Sequence, residues 1–156
     1  MIALLGRRLA QRGLALLHTD LPGTGDSDGK LEDVTISQWV GALQNALDWL
    51  TNQQPNTPIT LVSLRLGALL AQRLAHQNSG VSKQIFWQPV IHGKLHMQQF
   101  IRLLVARSLN DSSGNRMNTS EYIKQLEQGE PLEISGYTLG PALFRDICNL
   151  GLTADN

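Results

Sequence analysis

The sequence holds a single cysteine, Cys148, so no disulfide can form within the chain. That excludes a disulfide-stapled secreted scaffold, and a reducing, cytoplasmic setting is the expectation. An excess of one charge is also missing: 13 basic residues balance 13 acidic ones. Binding to nucleic acid or to a membrane surface through bulk positive charge is therefore not expected. No apolar run approaches the ~20 residues that a membrane-spanning helix requires. The first residues, Met1 to Arg8, do not read as a secretory signal, because the basic residues follow the apolar ones instead of preceding them. Neither an internal repeat nor a low-complexity segment is visible. The turn Gly23-Thr24-Gly25 fits neither of the glycine-rich patterns that cradle nucleotide phosphates, and no cofactor is expected.

What remains is an ordinary globular composition, 42% hydrophobic and 17% charged over 156 residues, enough for one domain. Ile2, Leu5 and Leu9 recur at helical spacing, with Gly13 as a stop signal. Residues 14–18, Leu-Ala-Leu-Leu-His, form a continuous apolar run suited to a buried parallel strand, and it empties into a turn-rich loop over 20–29. Thr35 and Gln38 make a capping box for a helix whose stripe is Ile36, Trp39, Val40, Leu43, Leu47 and Leu50. Ile59–Val62 reads as a second strand, Leu66 onward as a helix with a small face (Gly67, Ala68, Ala71, Ala75), and Gln84–Trp87 as a third strand. This α-β-α-β-α-β order predicts a parallel sheet of about three strands with right-handed crossovers. The alternation stops there. A helix over 97–109, a polar loop over 111–118, a short helix capped by Asn118 and Glu121, extended pieces over 132–137 and a last helix from Pro141 follow. Residues 1–90 thus read as an α/β core and 91–156 as a helical lid.

The chain is organised around Ser63-Leu64-Arg65-Leu66-Gly67, where a strand turns sharply into a helix with small residues two before and two after the apex. That is the layout of the nucleophile elbow, G-x-S-x-G, with arginine in the catalytic seat and Ser63 where the first glycine stands. The scaffold looks like an α/β hydrolase.

Five stretches carry a closer resemblance: Asp-Leu-Pro-Gly-Thr-Gly-Asp-Ser at 20–27, Ala-Leu-Asp-Trp-Leu at 46–50, Leu-Arg-Leu-Gly-Ala-Leu-Leu-Ala at 64–71, the Trp-Gln-Pro-Val-Ile-His-Gly-Lys block opening 87–102, and 129–139. Together the chain resembles the bacterial exosortase A system-associated hydrolases of type 2. The resemblance implies an α/β-hydrolase-like fold, a setting in exopolysaccharide or exosortase-linked metabolism, and an ester or thioester as substrate. It also implies that arginine at the apex is usual for the group. Measured against such a fold, strands expected before Ile2 and after the lid are missing, so the chain reads as the middle of a longer protein. Its open sheet edges predict homo-oligomers.

Arg65 has two readings: an anion clamp beside the first N–H groups of a helix, or a structural arginine tying down the 20–27 loop. It stays protonated and cannot act as nucleophile or base. The Leu66 N–H would be the surviving oxyanion-type donor. Ser63 is the one hydroxyl inside the elbow and is expected to point along the sheet. Asp20 ends the first strand and is placed to pair with Arg65, while Asp26 and Ser27 are expected to stabilise their loop. His92 and His96, four apart, are candidates for a polar pocket rim; no cysteine or carboxylate cluster accompanies them, so no metal is expected. His18 is expected to be buried or hydrogen-bonded, Cys148 to be a small core residue, and Trp39, Trp49 and Trp87 to occupy the core. Whether the chain is an enzyme is left open by the sequence. One reading is a hydrolase acting on a small-molecule or acyl substrate. The other is a non-catalytic scaffold that binds an anionic ligand or a partner protein through Arg65.

Overall fold

The capping box at Thr35 forms as the sequence predicts. Gln38 N–H donates to Thr35 Oγ1 at 3.2 Å, and Thr35 N–H donates to Gln38 Oε1 at 2.8 Å. A computed structural model of the chain describes residues 2–108 and 117–153. Helix α1 covers Ile2–Ala10, α2 Ile36–Gln53, α3 Gly67–His76, α4 Gly93–Ser108, α5 Thr119–Glu127 and α6 Pro141–Cys148. Strands β1 (Ile59–Leu64) and β2 (Val81–Trp87) pair in parallel around α3, and β3 (Leu132–Ile134) and β4 (Tyr137–Leu139) form an antiparallel hairpin. A 3-10 turn at Leu31–Asp33 leads into α2. Most of the polar loop expected over 111–118 lies outside the described residues.

The parallel sheet has two strands, not three. Residues 14–18 run extended, but a strand exists only as one side of a hydrogen-bonded ladder. Between Ala15 and Thr19 no backbone group is hydrogen-bonded within the described residues. His18 is exposed rather than buried, for the same reason: among the described residues no strand pairs beside it.

The core lies elsewhere. Val34, Ile36, Trp39 and Val40 at the start of α2, with Leu70 of α3, meet Met97 and Ile101 of α4, Leu126 of α5, Leu132, Ile134 and Leu139 of the hairpin, and Leu143, Phe144 and Ile147 of α6 in one buried cluster. The residues of 1–90 and of 91–156 therefore share a single core. Two polar contacts lock it. Asp146 of α6 accepts from the Ile36 N–H at 3.0 Å, capping α2 from across the molecule. The buried Gln72 amide of α3 makes both bonds to the backbone of Thr153, whose neighbours run antiparallel to 91–93: Leu152 N–H donates to the Ile91 carbonyl at 2.8 Å and Gly93 N–H to the Leu150 carbonyl at 2.9 Å. Gly93 is required there, because a Cβ would overlap the Ile147 carbonyl.

Trp39 is buried as expected; Trp49 and Trp87 are each 55% exposed. Trp49 sits on the outer face of α2. Trp87 ends β2 on a sheet face that no helix of the core covers. Strand alternation explains the split: Ile59, Leu61 and Ser63 face inward, while Thr60, Val62 and Leu64 face out.

Candidate functional site

β1 runs straight to Leu64, and the chain reverses into α3 at Arg65. Its φ of 53° puts a non-glycine residue in the left-handed region, which costs about 1–2 kcal/mol. The turn is fixed on both sides. Arg65 N–H donates to the Trp87 carbonyl at 3.1 Å, and the Arg65 carbonyl accepts from Val90 N–H at 3.1 Å and Ala68 N–H at 3.2 Å. Sharp strain at the apex, anchored by the end of the neighbouring strand, is the mechanical signature of a nucleophile elbow. The small flanks are looser than the motif suggests: a Cβ on Gly67 would only touch Ser63 Cβ, at 3.7 Å.

The Arg65 side chain is exposed, and among the described residues it makes neither a hydrogen bond nor an ion pair; the one ion pair found there joins Lys30 and Glu32. The expected partner, Asp20, is turned elsewhere. Its Oδ2 accepts from Asp26 N–H at 3.1 Å, and its carboxylate packs so tightly on Gly25 that a Cβ there would clash. The second reading of Arg65, as the tie that holds the 20–27 loop, also fails. That loop is held by Trp39 Nε1, which donates to the Pro22 carbonyl at 2.9 Å, by Thr24 Oγ1 donating to the Leu21 carbonyl at 2.8 Å, and by Gly23 N–H donating to the Asp28 carbonyl at 2.9 Å. Ser27 is half-buried, and its N–H closes a turn onto the Thr24 carbonyl. Asp20, Asp26 and Ser27 thus shape the loop.

Ser63 points to the covered face of the sheet, away from the apex. Its hydroxyl is buried with no hydrogen-bond partner. Leu66 N–H, at the cap of α3, has no acceptor among the described residues. It stands at the positive end of the α3 dipole, one residue after Arg65.

His92 and His96 lie one turn apart at the start of α4, with His96 N–H donating to the His92 carbonyl at 3.0 Å. Their environments differ. His92 is exposed and its backbone pairs with Gly151, whereas His96 is half-buried. Burial, and after it the nearby Arg65 charge, pulls the His96 imidazole below its ordinary 6.5. Of the two histidines, His96 is the one on which the Arg65 charge acts, and it is held toward the neutral form. Among the described residues no group of three His, Cys, Asp or Glu side chains is arranged to hold a metal. Burial raises the pKa of the half-buried Cys148, against a weaker lowering by Lys94. Two cavities lie away from the elbow: one of about 490 Å³ between the end of α2 and the turn before β2, and one of about 380 Å³ along α5.

A parallel pair of strands joined through a helix, with an elbow at the first strand's end, fits an α/β-hydrolase-like fold. The sequence model Hydrolase_4, described as serine aminopeptidase, S33, matches residues 1–138, and the chain belongs to that family. No curated protein matches it. Among solved structures it is similar to a protein from Agrobacterium vitis S4 described only as a hydrolase, with 20% identity and a TM-score of 0.58. The match covers 92% of this chain and 52% of the other, so the chain spans about half the length of that relative.

Proposed function

We propose that the elbow of this chain binds an anionic ligand, a carboxylate or a phosphate, through Arg65 and the Leu66 N–H, and that it does not catalyse ester hydrolysis by the elbow residue. The observation that carries this is the state of the guanidinium. Arg65 stands at the strained apex with an exposed side chain that has no partner among the described residues, and the following N–H, of Leu66 at the N-cap of α3, has no acceptor there either. A fixed fork of donors beside a positive helix end suits planar or tetrahedral oxyanions. His96 rims the site from the lid, residues 91–156. A triad needs a nucleophile at the apex, a base within reach and an acid to orient it. Arg65 supplies none of these roles, and Ser63 faces the wrong side.

The second reading is supported by family membership and by the resemblance of 64–71 and 87–102 to exosortase-associated hydrolases. In it, the protein acts on an ester or thioester in exopolysaccharide-linked metabolism, with the nucleophile supplied by another hydroxyl near the elbow. One pair of measurements separates the two. Short-chain carboxylates and sugar phosphates are titrated against wild type and Arg65→Ser. A charge-assisted bidentate contact contributes roughly 1.5–3 kcal/mol, so the variant should bind about ten- to a hundredfold more weakly. Equal affinities would rule out the clamp. A serine-hydrolase activity probe should label neither protein; labelling of the wild type would favour the second reading.

A further inference from the structure

Helix α3 buries one polar side chain among apolar ones. Ala68, Leu69, Leu70, Ala71 and Leu74 are buried, and so is Gln72, only 5% exposed. A buried amide left unpaired costs its full desolvation, so glutamine belongs here only with both of its polar groups bonded. Both bonds go to one residue. Thr153 N–H donates to Gln72 Oε1 at 3.0 Å, and Gln72 Nε2 donates to the Thr153 carbonyl at 2.5 Å. The side chain pairs with that backbone as a neighbouring strand would. Thr153 in turn closes a short antiparallel neck. Leu152 N–H donates to the Ile91 carbonyl, Gly93 N–H donates to the Leu150 carbonyl, and His92 bridges to Gly151. The chain enters the neck at 91–93 and returns through it at 150–153, with α4, α5, the β3–β4 hairpin and α6 in between. His96 is continuous with the entering side, since its N–H donates to the His92 carbonyl at 3.0 Å.

We propose that Gln72 is a positioning residue: by clamping Thr153 it holds the neck of residues 91–93 and 150–153, and through the neck it sets the start of α4, with His96, relative to the elbow at Arg65. The neck is tied on both of its sides. On the entering side, Val90 N–H donates to the Arg65 carbonyl at 3.1 Å. On the returning side, Gln72 holds Thr153 to the helix that follows the elbow. One tie would let the neck pivot about Val90, whereas two fix its direction. Leu70 of α3 and Met97 and Ile101 of α4 also share the buried cluster. Apolar packing is non-directional, so it holds α4 against α3 without setting the register that hydrogen bonds set. Every one of these contacts is made within the chain, and none needs a bare surface. The Arg65 charge acts on the His96 imidazole, which makes that coupling a gauge of the placement. The positioning holds for whatever the elbow binds, and it is read on the free protein, so its failure is distinct from a failure of the anion reading.

The test is an NMR titration of the His96 imidazole in the full chain, for wild type, Arg65→Ser, Gln72→Met and the double variant, read as a cycle. Methionine keeps the length of the side chain and removes both hydrogen bonds. Arg65→Ser should raise the His96 pKa in the wild-type background, and it should raise it less when residue 72 is methionine. Thr153→Pro takes the N–H from the other side of the clamp without touching the interior of α3, and it should shrink the same shift even if Gln72→Met does not fold. Leu47→Ala, a packing loss on α2 away from the neck, should leave the shift at its wild-type size although it loosens the fold. Amide exchange at Gly93 and Leu152 should accelerate in the two clamp variants while β1 keeps its protection. Four outcomes overturn the proposal: no effect of Arg65→Ser on His96 in the wild-type background, an equal effect with and without the clamp, an equal reduction in Leu47→Ala, or exchange that accelerates as much in β1 as in the neck.

Discussion

At the scale of single residues, the elbow pairs two side chains that lie 31 positions apart in the sequence. The Arg65 charge acts on the His96 imidazole, and that coupling has a pH signature. His96 is held below its ordinary pKa, by burial first and by Arg65 second. The unfolded chain takes up the proton at a higher pH than the folded one, so stability rises with pH through this window and is lost as pH falls below about 6.5. Urea midpoints measured over that range should fall more steeply for wild type than for His96→Gln. The Arg65→Ser variant should move the His96 imidazole resonances toward the ordinary titration range, because one of the two causes of the shift is gone. An unchanged titration would mean that the two side chains do not sense each other.

At the scale of elements, the helices are started by side chains of two kinds. Local caps, Thr35 with Gln38 and Asn118 with Glu121, are closed within one turn. The other kind comes from far away: Asp146 reaches Ile36 N–H across 110 residues. Replacing it with alanine removes an acceptor from the first turn of α2, and such losses cost about 1 kcal/mol. Asp146→Ala should lower the unfolding free energy, read from urea titration, by that amount, while Asp146→Asn, which keeps an oxygen acceptor, should lose less. A full-sized loss in the asparagine variant would assign the effect to charge rather than to the hydrogen bond.

Over the whole molecule, one core joins residues of 1–90 to residues of 91–156. Ile101, fully buried on α4, sits in that shared cluster. Ile101→Ala should cost ~2–5 kcal/mol, as large-to-small changes in packed interiors do. Amide exchange should then accelerate together in α3 and α6, because the two belong to one cooperative unit. Acceleration confined to α4–α6 would show that the lid opens independently of the sheet.

The sequence by itself settled what is written in short-range patterns. Both capping boxes, the helical stripe of α2, the proline that opens α6 and the strand-elbow-helix at 59–76 depend on residues a few positions apart, and local chemistry is enough to form them. The α/β-hydrolase class was legible too, because the elbow spacing and the loop at 20–27 are contiguous strings. Contacts between distant segments were not legible. The run at 14–18 has the composition of a buried strand, yet its state depends on whether another backbone lies beside it, and within the described residues none does. Trp87 looks like a core residue until the sheet face it stands on is found open. Asp20 looks like the partner of Arg65 until the loop curls back and Asp26 N–H takes its carboxylate. The Arg65 charge reaches His96 because the segment leading into α4 is tied to the end of β1, where Val90 N–H binds the Arg65 carbonyl. Periodicity and propensity act over a few residues, whereas pairing and burial are decided by which surfaces the folded chain brings together.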